Sequence, residues 1–332
     1  MIFLNADYLI MNQETRIAKG FVKTSLISGS DGLAISVLST DTSYFKSTSE
    51  QPKGIIQIVH GMCEHKERYI PFMEYLSGNG YICIIHDHRG HGESVKSDKD
   101  LGYFYEGGYI AMIDDIKMVG DWIKSRFTGL PHILFGHSMG SMAVRSFTKR
   151  YDYTIDGLIV CGSPSENPAA GAGKLLASAF SAVCGKKARP KFIQSIAFGA
   201  FNKPFRHEKS ANAWICSDPE IVAKYDRDPY CNFQFTANGF HNLFSLMQDA
   251  YSKKDWKLDK PSLPVLFISG ENDPCLVNRH KFGEAISRIK EVGYTNVSSI
   301  LYPGMRHEIL NEKGKERVWE DVLLACDRVT VG

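Results

Sequence analysis

The stretch Ile133-Leu134-Phe135-Gly136-His137-Ser138-Met139-Gly140 decides how this chain is read. It opens with an apolar, strand-like run, and residues 142–151 behind it are helical in character. A Gly-x-Ser-x-Gly motif therefore lies between a strand and a helix. In that setting a sharp turn holds the serine hydroxyl out of the chain as a nucleophile. In a chain with 29 Gly the five residues alone carry little weight, so the sequence on either side has to support them.

Outward from this turn, apolar segments of strand length recur at 54–59, 81–86, 132–135, 157–161, 265–269 and 297–302. Helical candidates lie between and after them, at 68–77, 109–126, 142–149, 281–290 and 315–328. Runs that are apolar throughout suit strands buried on both faces. Intervening helices suit crossover connections, so a mostly parallel sheet is predicted. Ahead of these, residues 25–28 and 34–38 flank Gly29-Ser30-Asp31-Gly32 and read as an antiparallel hairpin at the sheet edge.

The rhythm breaks after Cys161-Gly162-Ser163-Pro164 and resumes only at Pro261-Ser262-Leu263-Pro264. A gap of that length must carry structure of its own. We expect three parts: a first core segment (1–164), a helical cap insertion (165–260) and a second core segment (261–332). The first half of the cap mixes small and apolar residues such as Leu175, Val183, Phe192 and Ile196. Between residues 171 and 209 it holds eight Lys or Arg against one Glu. Its second half carries a helix-start signal at Ser217-Asp218-Pro219-Glu220 and a helix over 236–251.

Composition narrows the function classes. At 332 residues and 43% hydrophobic the chain can bury a large core, and a net charge of +2 argues against a whole-surface nucleic-acid binder. No apolar run reaches membrane-spanning length, and Met1-Ile2-Phe3-Leu4-Asn5-Ala6-Asp7 lacks the pattern of a signal peptide, so a cytoplasmic protein is expected. Eight scattered cysteines without a CxxC pair read as reduced thiols.

A serine hydroxyl needs a base, and the base needs a carboxylate to orient it. Both follow in the expected order, on loops after the last strands. Asp273 lies beyond 265–269 through Gly270-Glu271-Asn272, and His307 lies beyond 297–302 through Pro303-Gly304-Met305-Arg306. Glu271 is a poorer acid candidate because it lies nearer its strand. A tetrahedral oxyanion also needs donors that are already aimed. One expected donor is the amide of Met139, and the other is the amide of Met62, where Gly61 lets the chain turn after the strand 54–59.

Five motifs in order now define a resemblance: His60-Gly61-x-x-Glu64-His65-x-x-Arg68-Tyr69, Asp87-His88-Arg89-Gly90-His91-Gly92-Glu93-Ser94, Gly136-His137-Ser138-Met139-Gly140, Trp214 and Ser217-Asp218-Pro219 with Asp228-Pro229, and Arg306-His307-Glu308. From about residue 25 onward the chain resembles the α/β hydrolases of the monoacylglycerol lipase and lysophospholipase group, which are grouped with serine aminopeptidases of the S33 type. The resemblance implies an α/β-hydrolase fold, with a mostly parallel eight-stranded sheet flanked by helices and an inserted helical cap. It implies Ser138, Asp273 and His307 as a catalytic triad, Met62 and Met139 as oxyanion donors, and no cofactor. In monoacylglycerol lipases the residues matching Glu64 and Arg68 lie near the alcohol side of the ester, with a histidine three residues after the catalytic one. Here that position is Leu310, which leaves two readings of Glu64 and Arg68 open: substrate contacts, or a structural ion pair. The histidines of His86-Asp87-His88-Arg89-Gly90-His91 read as a structural turn, and no metal site is expected.

The function expected is that of a serine carboxylester hydrolase working through an acyl-enzyme on a lipid-like ester, monoacylglycerol or lysophospholipid. Its partners would be the small-molecule or lipid substrate, no nucleic acid, and a membrane surface touched transiently by the basic cap. The cap lysines read equally as a solvated helix face. The alternatives are an aminopeptidase of the proline iminopeptidase kind, a hydrolase-fold ligand-binding protein, and an enzyme transferring acyl groups to an alcohol other than water. Cys63 and Cys275 adjoin the expected site, where alkylation would crowd it if they are reactive.

Overall fold

Five consecutive core strands are buried along their whole length, and this dictates the architecture. They are β4 (Gly54–Val59), β5 (Tyr81–His86), β6 (His132–His137), β7 (Gly157–Cys161) and β8 (Val265–Gly270). The computed structural model describes residues 15–17, 20–43 and 51–331. The N-terminal residues read above for a signal peptide lie outside that set.

Alternate residues of each strand serve opposite faces, as the two-residue repeat of a pleated strand requires. In β6, Ile133 and Phe135 point to one layer of core and Leu134 to the other. The first layer is closed by α1 (Ile70–Gly78) and by α9 (Lys315–Val331), through Phe72, Met73, Val318 and Val322. The second is closed by α2 (Gly108–Arg126), α3 (Met139–Tyr151) and α8 (Arg279–Glu291), through Ile116, Val144, Phe147 and Phe282.

The sheet is completed by β1 (Thr15–Ile17), β2 (Phe21–Ile27), β3 (Ala34–Thr40) and β9 (Val297–Tyr302). Its order is β1-β2-β3-β5-β4-β6-β7-β8-β9. Strands β4 to β9 run parallel, while β1, β2 and β3 pair antiparallel and β3 joins antiparallel to β5. The predicted hairpin is the β2–β3 pair, with Leu26 opposite Ile35. The described sheet has nine strands rather than the eight expected. The extra one, β1, is three residues long and has no apolar alternation to announce it.

Between β7 and β8 the chain forms α4 (Ala170–Cys184), α5 (Lys191–Phe198), α6 (Pro219–Arg227) and α7 (Ala237–Tyr251). Helix α6 starts where its signal placed it: Asp218 accepts from the Glu220 N–H, and Pro219 occupies the first turn. Thr236 caps α7 by accepting from Gly239. Helix α4 packs along α7, and Phe240, Leu243 and Leu246 of α7 join the core layer of Val144 and Phe147. The six parallel strands β4 to β9 direct their C-terminal ends to the same side as this insertion, where open α/β sheets place their sites.

Candidate active site

At the tip of β6 the backbone turns so sharply that Ser138 adopts φ 54° and ψ −119°. This conformation is costly for a residue with a Cβ and is typical of functional turns. Two glycines make it possible. A Cβ on Gly140 would lie 2.1 Å from the Val59 carbonyl oxygen, and one on Gly136 would lie 2.5 Å from that of Gly140. The turn is secured by the Ser138 N–H donating to the Cys161 carbonyl (3.0 Å) and by the Ser141 hydroxyl donating to the Ser138 carbonyl (2.5 Å).

The three residues expected to act together meet here. His307 Nε2 lies 2.8 Å from Ser138 Oγ, and His307 Nδ1 lies 2.9 Å from Asp273 Oδ2. A carboxylate can only accept, so Nδ1 carries the proton and Nε2 is left to accept from the serine. Asp273 does two things at once. Its Oδ2 holds the imidazole and accepts from Ser269 (3.3 Å), while its Oδ1 caps the short helical turn Pro274–Leu276 by accepting from the Cys275 N–H at 2.8 Å. Both His307 and Asp273 are buried. Glu271 turns away to bond Arg279.

The loop after β4 comes against the nucleophile. A Cβ on Gly61 would lie 2.9 Å from the Ser138 Cβ, so only glycine fits there. Among the described residues, the backbone N–H groups of Met62 and Met139 donate no hydrogen bond within the protein. Met139 is also the first residue of α3, where the helix dipole favours negative charge.

Glu64 and Arg68 lie beside this loop, largely buried. Glu64 accepts from the Gly61 N–H (2.5 Å), Tyr69 (3.0 Å) and Arg68 (2.8 Å), and faces His137 Nδ1 at 3.0 Å. Arg68 also makes a two-pronged contact with Glu308 at 2.8 and 2.7 Å and stacks over the ring of Tyr225. The two residues thus form an ion pair with each other. Leu310 lines a narrow crevice, with room for about one water, beside Arg68, His137 and Glu308, giving an apolar wall where a histidine would have been polar.

Sequence reasoning gave no role to His137, Glu308 or Trp214. His137 occupies the variable position of the motif, and its partner is 73 residues away, so no local pattern could point to it. Trp214 packs its ring 5.1 Å from that of His307. The neighbouring backbone of the segment between β7 and β8 is sewn to the His307 loop: the Glu308 N–H donates to the Ile215 carbonyl (2.7 Å), and Arg306 donates to the Ala213 and Cys216 carbonyls.

The histidines of the structural turn are buried and pack at tilted or edge-on angles against one another and against His60, whose ring lies 4.3 Å from that of His88. Burial and mutual repulsion lower the basicity of His60 and His88, and burial brings His86 down to about 3 and His91 to about 4. Cys63 and Cys275 are also buried, and burial raises both thiols well above their ordinary value. Among the described residues two sets of metal-ligand type come together: His65, Asp228 and Cys231, and, within the site itself, Asp273, Cys275 and His307. In both, the imidazole nitrogens already have protein partners.

Residues 50–314 match the family described as serine aminopeptidase, S33. The chain belongs to that family. Among its relatives is a monoacylglycerol lipase of Mycolicibacterium smegmatis, 26% identical over 276 residues, which span 82% of this chain and 87% of the relative. A monoglyceride lipase homolog of monkeypox virus is 29% identical over 229 residues, 67% of this chain and 71% of the relative. Solved structures show the same α/β-hydrolase fold. A thermostable carboxyl esterase from Bacillus coagulans superposes with a TM-score of 0.83 at 24% identity, covering 94% of this chain and 99% of that one. A soluble variant of the monoglyceride lipase of Saccharomyces cerevisiae gives 0.65 at 18%, covering 96% and 94%. This S33 member shares its family label with peptidases and its similar relatives with lipases.

Two further facts bear on substrate delivery. Among the described residues no helix is long and apolar enough to cross a membrane. Helices α4 and α5 nevertheless hold large apolar side chains in solvent: Leu175 is 72% exposed, Val183 86% and Ile196 75%.

Proposed function

We propose that this protein is a serine carboxylester hydrolase that works through an acyl-enzyme on lipid-like esters of the monoacylglycerol or lysophospholipid class. Its activity class, carboxylic ester hydrolysis, is that of its lipase relatives. The covalent route, the residues and the substrate are the proposal. The observation that carries it is the relay from Asp273 through His307 to Ser138, at 2.9 and 2.8 Å.

In this mechanism His307 Nε2 removes the Ser138 proton as Oγ attacks the ester carbonyl, and Asp273 stabilises the imidazolium that forms. The N–H groups of Met62 and Met139 receive the oxyanion, helped by the N-terminus of α3. His307 returns the proton to the departing alcohol and then activates a water, which releases the acid and frees Ser138. No step calls for a cofactor. Residues 1–164 and 261–332 provide this machinery, and 165–260 serve as the cap, with Trp214 and Phe201 forming an aromatic wall near His307.

The choice of lipid over peptide rests on what lies free. An aminopeptidase must offer a carboxylate to the substrate amine, but Glu64 and Glu308 are occupied by Gly61, Tyr69, Arg68 and Asn311. The exposed apolar residues of α4 and α5, among eight basic residues in 171–209, suit a transient landing on an anionic lipid surface. The test is a panel of p-nitrophenyl esters, monoacylglycerols, lysophospholipids and proline naphthylamide, run beside Ser138→Ala. Esters are expected to turn over and the arylamide not, with the variant losing at least about 10⁴-fold. Turnover that survives in the variant, or preference for the arylamide, refutes the proposal.

A further inference from the structure

Three separate loops each supply one reacting group in the mechanism just proposed, and each is tied to the same buried pair of side chains. The β4 loop presents the Met62 N–H, and one residue earlier the Gly61 N–H donates to Glu64 Oε1 at 2.5 Å. The elbow presents Ser138, and one residue earlier His137 Nδ1 meets that same oxygen at 3.0 Å. The last loop presents the imidazole of His307, whose own carbonyl receives His137 Nε2 at 3.3 Å. Both ring nitrogens of His137 therefore face atoms that can only accept. An imidazole satisfies two acceptors only when both nitrogens carry hydrogen, so His137 is an imidazolium bound to the Glu64 carboxylate.

The surroundings agree with a charged couple. Burial pushes the Glu64 carboxyl up, but His137, Arg68 and the Gly61 N–H together hold it well below the usual carboxylate range. Burial pushes His137 down, and Glu64 more than compensates, leaving it above its ordinary value. Arg68 brackets Glu64 from the far side and is itself anchored on Glu308, next in sequence to His307. A buried charge pair of this kind is weak evidence for stability but can serve registration.

We infer that the Glu64–His137 ion pair is a positioning element that fixes the spacing of the oxyanion loop, the nucleophile elbow and the His307 loop, and that Glu64 makes no contact with the alcohol part of the substrate. Displacing a reacting group by about 1 Å costs on the order of 10²-fold in rate, so one clamp on three loops has a large lever. The inference rests on Ser138 being the nucleophile.

The experiment compares Glu64→Gln, His137→Asn and the double variant with the parent and with Ser138→Ala. The substrates are a monoacylglycerol and a p-nitrophenyl ester with the same acyl chain, and a fluorophosphonate labels Ser138. Positioning predicts that kcat falls about 10- to 100-fold on both esters with KM within about 2-fold. It also predicts that labelling slows in step, and that the double variant is no worse than the weaker single one. The labelling endpoint counts folded sites while its rate reports geometry, and the two single variants attack the pair from opposite sides, so either one that folds suffices. An unchanged kcat with only a lowered melting temperature overturns the inference, as does a rise in KM confined to the monoacylglycerol. Activity remaining in Ser138→Ala refutes the hydrolase mechanism instead, a different result from unchanged Glu64→Gln in an enzyme that still needs Ser138.

Discussion

Around Ser138 almost every polar atom is committed, whereas at Leu175, Val183 and Ile196 large apolar side chains stand in water. The first region is held by short directional contacts such as His307 to Asp273, at 2.9 Å. The second offers only area. The division does not follow the chain boundary between core and insertion. Part of the segment between β7 and β8 belongs to the rigid side: Ile215 accepts from the Glu308 N–H, Ser217 donates to Glu312, and Arg306 pairs with Glu208. Geometry that must be right to a fraction of an ångström is thus built from hydrogen bonds and buried charge, and residues 213–216 beside His307 are included in it. On the function proposed above, substrate capture tolerates looseness and would fall to α4 and α5.

The contrast can be broken most sharply at Asp273. Asp273→Asn keeps an acceptor for the turn at Cys275 but puts an amide against His307 Nδ1, so kcat/KM should fall about 10⁴-fold while the melting temperature changes little. Steady-state kinetics on a p-nitrophenyl ester, with thermal melts, checks both. A large loss of stability would show that the residue matters mainly as a cap.

Acid probes the rigid side as a whole. His60, His86, His88, His91 and His132 are all less basic when folded, chiefly through burial. The unfolded chain takes up protons from pH 6.5 downward and the folded one does not, so stability falls as pH drops through that window. His91, carried from 6.5 to about 4, accounts for roughly 3 kcal/mol lost by pH 4. His65 and His137 act in the opposite sense, because their folded forms are more basic, but they are outnumbered. Urea melts at pH 7, 6, 5 and 4 should show a falling midpoint. A flat profile would deny that the histidine cluster is buried and neutral.

The loose side is tested by Leu175→Ser, Val183→Ser and Ile196→Ser combined. Turnover of a short water-soluble ester should stay within about 2-fold, while partition onto anionic vesicles drops about 10-fold or more. Equal partition would leave these residues without a role in delivery. The smallest effect is expected at Cys184, the exposed thiol of α4: iodoacetamide should modify it first and leave ester turnover unchanged, because the other seven cysteines are buried. Rapid inhibition would point instead to Cys63 or Cys275 opening to solvent.

How much of this could be read in advance divides along similar lines. Strands β4 to β8 announced themselves because burial on both faces leaves an uninterrupted apolar run. The order of Ser138, Asp273 and His307 was readable through the resemblance to α/β hydrolases, in which acid and base follow the nucleophile on loops after the last strands. Strand β1 gave no signal, since three residues cannot establish a period. The pairing of Arg68 with Glu308 spans 240 residues, and nothing near either one announces the other. The same holds for the doubly bonded His137. The two readings of Glu64 and Arg68 left open by Leu310 were of this kind, because only their neighbours in space distinguish them.

The backbone at Ser138 carries one more consequence. Holding a residue with a Cβ at φ 54° and ψ −119° stores on the order of 1–3 kcal/mol of torsional tension. Glycine at 138 would release it, so under the proposed mechanism Ser138→Gly should lose turnover and yet outlast the parent protein on heating. At this single torsion angle durability and usefulness are rivals, and the chain has settled for the less durable form.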